Sequence, residues 1–283
     1  MTDGTASQRP SVTDADSAQR HGPHSHSTTA AREARVLIIV PTKDQPELLT
    51  RCVDSIERTV AVERYRLVIV DTGCRSPDGR RVLRRLGTRH EVLRYGLPFN
   101  YAKVNNWAAS RAAEELLLFL NDDVEATDPG WLEVMADLAR RPPVGAVGAL
   151  LTYPDMTIQH AGVALGTPSP TLHLGRGAPP SSWRRDPLYA SPYEVPAVTG
   201  AAMMCRRSVF EALSGFDEKF SYAYNDVDLC LRLRRRGLRV LLEPRARLIH
   251  LESATRGRYH KPAEESRFIQ RWRGVLVARD TRA

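Results

Sequence analysis

The stretch LLLFLNDDV, residues 116–124, is a short apolar run that ends in Asn121, Asp122 and Asp123. An uninterrupted run of Leu and Phe side chains is typical of a strand buried on both faces of a parallel sheet. Two adjacent carboxylates repel each other, and the repulsion is stronger beside a low-dielectric interior. The stretch therefore predicts a buried strand whose polar end lies near a positively charged partner.

The same alternation of apolar run and amphipathic stretch precedes and follows this segment. The other strand-like runs are RVLIIV (35–40), YRLVIVD (65–71) and HEVLRYG (90–96), and helical patterns lie near 45–59, 77–86, 101–114 and 131–140. Short strands that alternate with helices build an open α/β sheet. We predict an α/β fold with a mostly parallel central sheet flanked by helices, followed by a smaller region.

Acidic side chains follow three of the predicted strands. Asp44 comes after the first strand, Asp71 ends the second, and Asp122 and Asp123 follow the fourth. Ligands of open α/β sheets bind at the carboxyl ends of the strands, although an Asp there also caps the next helix. No GxGxxG or GxxxxGK[ST] motif is present, so a bound nucleotide would need carboxylates that hold a divalent cation.

The second half of the chain has a looser pattern. Residues 166–192 are rich in Pro, Gly and Ser, and residues 194–216 read as a strand, a tight passage at Gly200, a second strand and a helix closed by Gly215. A helix begins near Asp226 and stops at Gly237, and strand-like runs follow at 239–244 and 246–253.

Two groups in this half could carry chemistry. Asp226 and Asp228 form either a helix-capping pair or a site for a general base, because a helix N-terminus favours negative charge. His250, at the end of an apolar run, is either a buried hydrogen-bonded histidine or a metal ligand.

The composition is that of a globular protein. The chain has 283 residues, 42% of them apolar, enough for one large or two modest domains. Residues 1–32 have almost no large apolar side chains, which predicts a disordered tail. The longest apolar runs are too short to cross a bilayer, and no secretory signal is visible. The four cysteines stand singly, which argues against a zinc site or disulfides and favours a reducing cytoplasm.

The formal net charge of +8 is unevenly spread. A dense series of arginines follows Cys230: Arg232, Arg234, Arg235, Arg236, Arg239, Arg245, Arg247, Arg256 and Arg258. An anionic partner and a solvated arginine-rich surface both explain this bias. Charge alone does not separate them.

Taken together, these motifs are similar to those of a known family. The blocks PTKD, VDTG, FNYAKVNNWAAS, FLNDDV, IQHAGVALG, VTGAAMMCRR, GFDEKFSYAYNDVDLCLRLRRRG and HLESATRG occur in that order, between residues 35 and 275. They resemble family 2 glycosyltransferases with a GT-A fold, especially the bacterial rhamnosyltransferase-like polysaccharide branch. The resemblance implies an inverting enzyme that moves a sugar from a UDP- or dTDP-linked donor to a saccharide or lipid-linked acceptor, in cell-surface polysaccharide synthesis.

The resemblance also implies roles for individual residues. Asn121-Asp122-Asp123 stands at the DxD motif of the family, where Asp123 would bind Mn²⁺ or Mg²⁺ together with His250, and Asp226 matches the catalytic base. Asn121 departs from the first Asp of that motif, and Asn225 departs from the Glu commonly found before the base. The implied nucleotide-sugar site consists of Pro41, Thr42, Asp44, Asp71, Asn100, Asn105, Asp122 and Gly200.

The C-terminal segment predicts an amphipathic helix. Pro262 with Glu264 and Glu265 indicates its start, and one apolar face is formed by Phe268, Ile269, Trp272, Val275 and Leu276. This face would pack on the catalytic domain or lie in a membrane interface near a lipid-linked acceptor. We therefore predict a glycosyltransferase domain over 33–262 and a helix and tail over 263–283. The protein is expected in the cytoplasm, either unattached or peripheral on the inner face of the cell membrane.

Three other functions share parts of this pattern. A nucleotidyltransferase uses similar carboxylate–metal chemistry but would carry a Gly-rich phosphate loop near the first strand. A non-catalytic sugar-nucleotide-binding protein would need only the first half of the chain. A nucleic-acid-binding module would explain the arginines but not three acidic strand ends, which repel phosphate without metal. Nucleic acid is accordingly not an expected partner.

Overall fold

The computed structural model describes Met1 and residues 35–166, 169–252 and 261–280, with the side chains of the last helix up to Leu276. Apart from Met1, the predicted N-terminal tail lies outside these residues.

The first half alternates strands and helices as predicted. Its strands are β1 (Val36–Thr42), β2 (Tyr65–Asp71), β3 (Glu91–Arg94) and β4 (Leu116–Leu120), and its helices are α1 (Pro46–Thr59), α2 (Pro77–Leu86), α3 (Tyr101–Ala109) and α4 (Trp131–Ala139). A short 3₁₀ turn, Val62–Arg64, precedes β2. The apolar runs of β1 and β4 are buried along almost their whole length.

Helix α3 is shorter than its sequence pattern predicted. It ends at Ala109 rather than near 114. The chain leaves the helix and buries Glu114, whose carboxylate accepts hydrogen bonds from the Arg66 guanidinium at 2.7 and 3.0 Å. This ion pair joins residues that are far apart in sequence, so helical periodicity could not reveal it.

The second half adds eight strands and four helices among the described residues. The strands are β5 (Val124–Ala126), β6 (Val144–Thr152), β7 (Ile158–His160), β8 (Val163–Leu165), β9 (Thr171–His173), β10 (Tyr193–Glu194), β11 (Ala202–Arg206) and β12 (Arg239–His250). The helices are α5 (Pro180–Trp183), α6 (Arg207–Ala212), α7 (Asn225–Arg235) and α8 (Pro262–Asp280), and a 3₁₀ turn spans Pro187–Ala190.

One large sheet carries the fold. Its order is β10-β12-β6-β11-β4-β1-β2-β3, with β5 paired to β12 and β7 to β6, while β8 and β9 form a separate pair. Strands β4, β1, β2 and β3 are parallel, and β6 is parallel to β12. Strand β11 runs antiparallel between β4 and β6. The predicted α/β sheet is confirmed, and its antiparallel strands, β5, β7, β10 and β11, are the part that the apolar pattern did not reveal.

The two strand-like runs predicted at 239–244 and 246–253 form one strand, β12. Its register with β6 shifts between Glu243 and Arg247. The carboxylate of Glu243 is fully buried there and accepts hydrogen bonds from the backbone and guanidinium of Arg245. Local irregularity around Pro244, which has no N–H, thus shifts the register of one strand rather than separating two.

The sheet ends on both sides in short strands. At one edge β3 has four residues, and its two end residues, Glu91 and Arg94, are exposed. At the other edge β10 has only two residues, Tyr193 and Glu194.

Helix α8 packs on the domain, as one of the two predicted arrangements requires. Phe268, Trp272 and Leu276 are buried, whereas Ile269 is 39% exposed and does not share the packed face. The Phe268 ring stacks on Tyr224 with centroids 4.7 Å apart. Among the described residues, the structure has no helix with the length and apolarity that crossing a membrane requires.

Many arginines of the second half make ion pairs with the protein itself. Arg232 pairs with Asp228 at 2.8 Å, and Arg234 and Arg239 both pair with Glu194, at 2.6 and 3.0 Å. These contacts hold α7 and β12 in place, so part of the basic excess is structural. All four cysteines are buried free thiols.

Candidate active site

A cavity opens at the carboxyl ends of the parallel strands. Thr42 at the end of β1 lies in register with Asp71 at the end of β2, and β4 is the other neighbour of β1. The cavity holds about 270 Å³ and is lined by Pro41, Thr42, Lys43, Gln45, Thr72, Phe99, Tyr101, Asn121, Asp122, Asp123 and Tyr222. Four of the predicted site residues, Pro41, Thr42, Asp122 and Asp123, therefore lie together at this edge of the sheet.

The two adjacent carboxylates after β4 have different partners. Asp122 accepts a hydrogen bond from the Thr42 hydroxyl at 2.7 Å, which ties the end of β4 to the end of β1. Asp123, only 7% exposed, faces the imidazole of His250, with 3.1 Å between Oδ1 and Nε2. Strand β12 brings His250 there because its end pairs with β5, immediately after Asp123.

A glutamine sets the orientation of His250. The side-chain oxygen of Gln159 lies 2.5 Å from His250 Nδ1, and an amide oxygen can only accept, so Nδ1 donates. The Gln159 amide nitrogen in turn donates to the His250 carbonyl at 3.3 Å. Nε2 is thereby directed at the carboxylate of Asp123, and in the neutral imidazole it presents a lone pair. A proton or a cation between these two atoms makes the contact favourable.

This donor set suits a divalent cation that is also bound by its substrate. Within the described part of the chain, no group of three or more His, Cys, Asp or Glu side chains is arranged to hold a metal ion. Asp123 and His250 are two ligands at most. Mg²⁺ is commonly held by one or two carboxylates together with substrate phosphates, and mixed oxygen and imidazole ligands suit Mn²⁺ as well. The residues present fit a cation that binds with a diphosphate.

Asp44 and Asp71 both hold the loop that follows β2. Asp44 accepts from the backbone N–H groups of Arg75 and Ser76, each at 2.7 Å, and Asp71 accepts from those of Gly73 and Cys74. Hydrogen bonds, first that from the Ser76 N–H, lower the pKa of Asp44 far below its usual range, although burial opposes this. Neither residue caps the next helix as the alternative reading proposed, since α1 begins after Gln45 and Ser76 caps α2.

The two asparagines of the predicted donor site serve helix α3. Asn100 caps it by accepting from Lys103 N and also donates to the Glu218 carbonyl. Asn105 is fully buried, and its amide donates to the Tyr101 carbonyl at 2.9 Å. Neither side chain is among those that line the cavity.

Asp226 lies at the start of α7, and its carboxylate is bonded to the backbone of Gly200. Its Oδ2 accepts the Gly200 N–H at 2.7 Å, and its Oδ1 accepts the Val227 N–H at 2.8 Å. The Gly200 carbonyl accepts the hydroxyl of Tyr101, a cavity residue, at 2.7 Å. A Cβ at Gly200 would lie 2.7 Å from that hydroxyl oxygen, so a larger residue there would displace the Tyr101 hydroxyl. Gly200 thus links half-buried Asp226 to the wall of the cavity.

Asp228 has a different environment from Asp226. It is completely buried and bonds to Arg232 at 2.8 Å and to the Trp272 indole N–H at 3.0 Å. These contacts join α7 to α8. The capping interpretation of the Asp226–Asp228 pair therefore fails for Asp228, which stabilises helix packing instead.

Two histidines contact each other, and one of them, His173, lies near the charge of Asp226. The Thr199 N–H donates to His160 Nε2 at 3.3 Å, so the proton of neutral His160 is on Nδ1, 3.1 Å from Nδ1 of His173. His173 therefore carries its own proton on Nε2. Complete burial keeps the pKa of His160 well below its usual value. Burial also lowers the pKa of His173, against the opposing effect of the nearby Asp226 carboxylate.

Burial of His160 predicts a loss of stability in mild acid. The folded-state pKa of His160 is depressed, so above about pH 6.5 neither state binds its proton, and below that pH only the unfolded state does. The free energy of unfolding should fall by up to about 1.4 kcal/mol per pH unit from this one group. Urea unfolding between pH 7.5 and 5.5 should show a shallower pH slope for His160→Gln than for the wild type. Equal slopes would contradict this assignment.

Several site residues had no role assigned from the sequence. Gln159 and His160 lie in the block IQHAGVALG, Tyr101 lies in FNYAKVNNWAAS, and Tyr222 lies in GFDEKFSYAYNDVDLCLRLRRRG. The motifs that contain them were visible. Their functions depend on partners distant in the chain, which a motif does not identify.

The sequence matches one family model and is similar to several named proteins. Residues 37–214 match the family model of glycosyl transferase family 2. The chain is 42% identical over 232 residues to the O-antigen biosynthesis protein RfbC of Myxococcus xanthus, covering 78% of this chain and 18% of that protein. It is 31% identical over 155 residues to N-acetylglucosaminyl-diphospho-decaprenol L-rhamnosyltransferase of Mycobacterium tuberculosis (strain CDC 1551 / Oshkosh), covering 51% of this chain and 50% of that protein. The chain thus spans half or less of the length of these relatives.

Solved structures share the fold at low sequence identity. GalNAc-T7 with UDP, GalNAc and Mn²⁺ superposes with a TM-score of 0.69 at 15% identity, covering 84% of this chain and 48% of that chain. The mannosyltransferase PcManGT from Pyrobaculum calidifontis, in complex with GDP-Man and Mn²⁺, gives 0.56 at 16%, covering 79% and 58%. These likenesses confirm the predicted GT-A fold. Because the family match covers more than half of the chain, the protein belongs to glycosyl transferase family 2 and is an enzyme of that family.

Proposed function

We propose that the protein is an inverting, metal-dependent glycosyltransferase that acts in bacterial cell-surface polysaccharide synthesis. The proposal rests on the polar side chains that lie together at the carboxyl ends of β1 and β4. There Asp123, which pairs with His250, lines a cavity of about 270 Å³, and Tyr101 links that cavity through Gly200 to Asp226. One side of the site can therefore hold a diphosphate, and the other offers a carboxylate to an acceptor.

Asp226 is the proposed general base. An acceptor hydroxyl must lose its proton as its oxygen attacks the anomeric carbon, and a positioned carboxylate can take that proton. The hydrogen bonds from Gly200 and Val227 hold the Asp226 carboxylate in one orientation. With one base and direct displacement, the bond to the leaving diphosphate breaks as the new glycosidic bond forms on the opposite face. The configuration at the anomeric carbon is thereby inverted.

Asp123 and His250 are the proposed ligands of Mn²⁺ or Mg²⁺. When bound, such a cation neutralises the charge that develops on the leaving diphosphate. Gln159 would keep His250 in the tautomer that offers Nε2 to the metal. Lys43, also in the cavity wall, adds a positive charge at the same strand end.

We propose a UDP- or dTDP-linked donor and a saccharide or lipid-linked acceptor. The two structural neighbours were solved with UDP or with GDP-Man, and the mycobacterial relative is named for transfer to a diphospho-decaprenol-linked sugar. We further propose that the catalytic domain spans 33–262 and is followed by a C-terminal helix and tail over 263–283.

A lipid-linked acceptor would bring a cytoplasmic enzyme to the inner face of the membrane, so we also propose peripheral contact there. Burial of Phe268 and Trp272 leaves Ile269 and Arg273 on the outer side of helix α8 for such contact. Cosedimentation with anionic vesicles at low salt is the expected result. Failure to bind would reject membrane contact without affecting the proposed reaction.

The reaction is tested by following donor consumption. Purified protein with a panel of UDP- and dTDP-sugars should release nucleoside diphosphate only when Mn²⁺ or Mg²⁺ is present, and chelation with EDTA should stop the release. NMR of the product should show the opposite anomeric configuration to the donor. Metal-independent release, or retention of configuration, would contradict the proposed mechanism.

A further inference from the structure

A buried carboxylate of helix α8 holds the loop that precedes the proposed base. Glu264, only 5% exposed, accepts hydrogen bonds from Ser221 N at 3.0 Å, Ser221 Oγ at 2.6 Å, Tyr222 N at 3.2 Å and Ala223 N at 2.9 Å. Burial alone would raise the pKa of Glu264, but the hydrogen bonds, first that from the Ser221 hydroxyl, outweigh it and lower the pKa. The carboxylate is thus charged and supplied with donors from one short loop.

That loop forms part of the cavity wall. Tyr222 lines the cavity, and its ring lies 5.5 Å from that of Phe99, a second wall residue. Lys261, just before helix α8, places its ammonium 3.8 Å from the centroid of the Tyr222 ring and donates to Ser221 Oγ at 2.8 Å. The beginning of helix α8 therefore contacts this wall residue through both its backbone and its ring.

Asp226 does not depend on these contacts for its position. Its carboxylate is held by the N–H groups of Gly200 and Val227. Loss of the Glu264 contacts should therefore loosen the cavity wall more than it moves the base.

We propose that Glu264 is a positioning residue for donor binding, which presets Tyr222 as a wall of the donor cavity. The inference rests on the proposed function, because it takes the cavity at the strand ends as the donor site. It assigns to helix α8 a role in substrate affinity in addition to its packing on the domain. Glu264 lies beyond residues 37–214, the part of the chain matched by the family model.

The test measures the binding of UDP and of dTDP, each with Mn²⁺, by calorimetry. Glutamine keeps the size of Glu264 but has only one acceptor oxygen, and its NH₂ group would face backbone N–H donors. Glu264→Gln should therefore weaken nucleotide binding about tenfold or more. Turnover at saturating donor should stay close to that of the wild type. Ser221→Ala, which removes only the hydroxyl contact, should weaken binding in the same direction by less.

Two further variants separate positioning from general destabilisation. Trp272→Phe removes the hydrogen bond to Asp228 farther along the same helix, so it should lower the melting temperature without changing nucleotide affinity. In a Tyr222→Ala background, Glu264→Gln should cause no additional loss of affinity, because the wall that it positions is already absent. Hydrogen exchange of the Tyr222 and Ala223 amides should be faster in Glu264→Gln.

The outcomes distinguish this inference from the proposed function. If the wild type binds neither UDP nor dTDP, the proposed donor class is wrong, and the exchange rates still decide whether Glu264 holds the loop. If the wild type binds and Glu264→Gln binds equally well, only the inference is overturned. An equal loss of affinity in the Tyr222→Ala background, or in Trp272→Phe, would overturn it too.

Discussion

Replacing Asp226 with Asn is expected to lower kcat by about 10²–10⁴-fold and to leave nucleoside-diphosphate binding close to that of the wild type. Asparagine keeps the shape of aspartate, and its side-chain oxygen can still accept the Gly200 N–H, so that only the acceptor of the Val227 N–H is lost. It cannot take a proton from an acceptor hydroxyl at neutral pH. The effect should therefore appear in turnover, measured with any donor that the wild type uses, and not in affinity measured by calorimetry.

Asp228→Asn is the matched control, because it makes the same change two residues farther along the helix. Asp228 is buried against Arg232 and Trp272, so this variant should lose stability while its folded fraction keeps near-normal turnover. An inactive but stable Asp228→Asn together with an active Asp226→Asn would move the base assignment to Asp228. Poor donor binding by both variants would assign this region to the nucleotide site instead.

Asp123→Ala is expected to abolish metal-dependent donor binding. The substitution removes the only charged side chain of the proposed metal pair and leaves His250 as a single ligand. Calorimetric titration of UDP or dTDP should give the same weak binding with Mn²⁺ as with EDTA. Binding that remained equally tight and metal-dependent would refute the assignment of Asp123.

Two further variants should weaken metal-dependent donor binding, but less than Asp123→Ala does. Gln159→Leu keeps both proposed ligands but removes the partner that orients His250, and loss of such outer partners typically lowers metal affinity about 10–100-fold. Asp122→Asn keeps an acceptor for the Thr42 hydroxyl, so it should reduce metal dependence less than Asp123→Ala. An effect of Asp122→Asn as large as that of Asp123→Ala would make Asp122 the metal ligand.

The sequence predicted those parts of the fold and site that depend on local pattern. We could predict strands β1, β2 and β4 and the polar residues at their ends. Both features depend only on the sequence of a single segment. The DxD position came from resemblance to a family, and so did the choice of Asp226 rather than Asp228 as the catalytic base. The individual roles of these residues stay predictions.

The parts that could not be predicted depend on contacts between distant segments. Gln159 orients His250 across 91 residues, and Asp226 reaches Gly200 across 26. An ion pair between Arg66 and Glu114, 48 residues apart, lies where the pattern predicted the end of α3. Asp44 and Asp71 were correctly placed at strand ends, but only the structure shows that their carboxylates hold the loop after β2.

The shortness of the two outermost strands has a consequence for behaviour in concentrated solution. An unpaired strand edge can recruit a strand of another molecule, and this route to aggregation requires a long, flat, apolar edge. Here β3 offers four residues with exposed charges at both ends, and β10 offers two. A sheet of ten strands thus leaves little backbone available for intermolecular pairing at these two edges, which protects the protein against edge-to-edge aggregation.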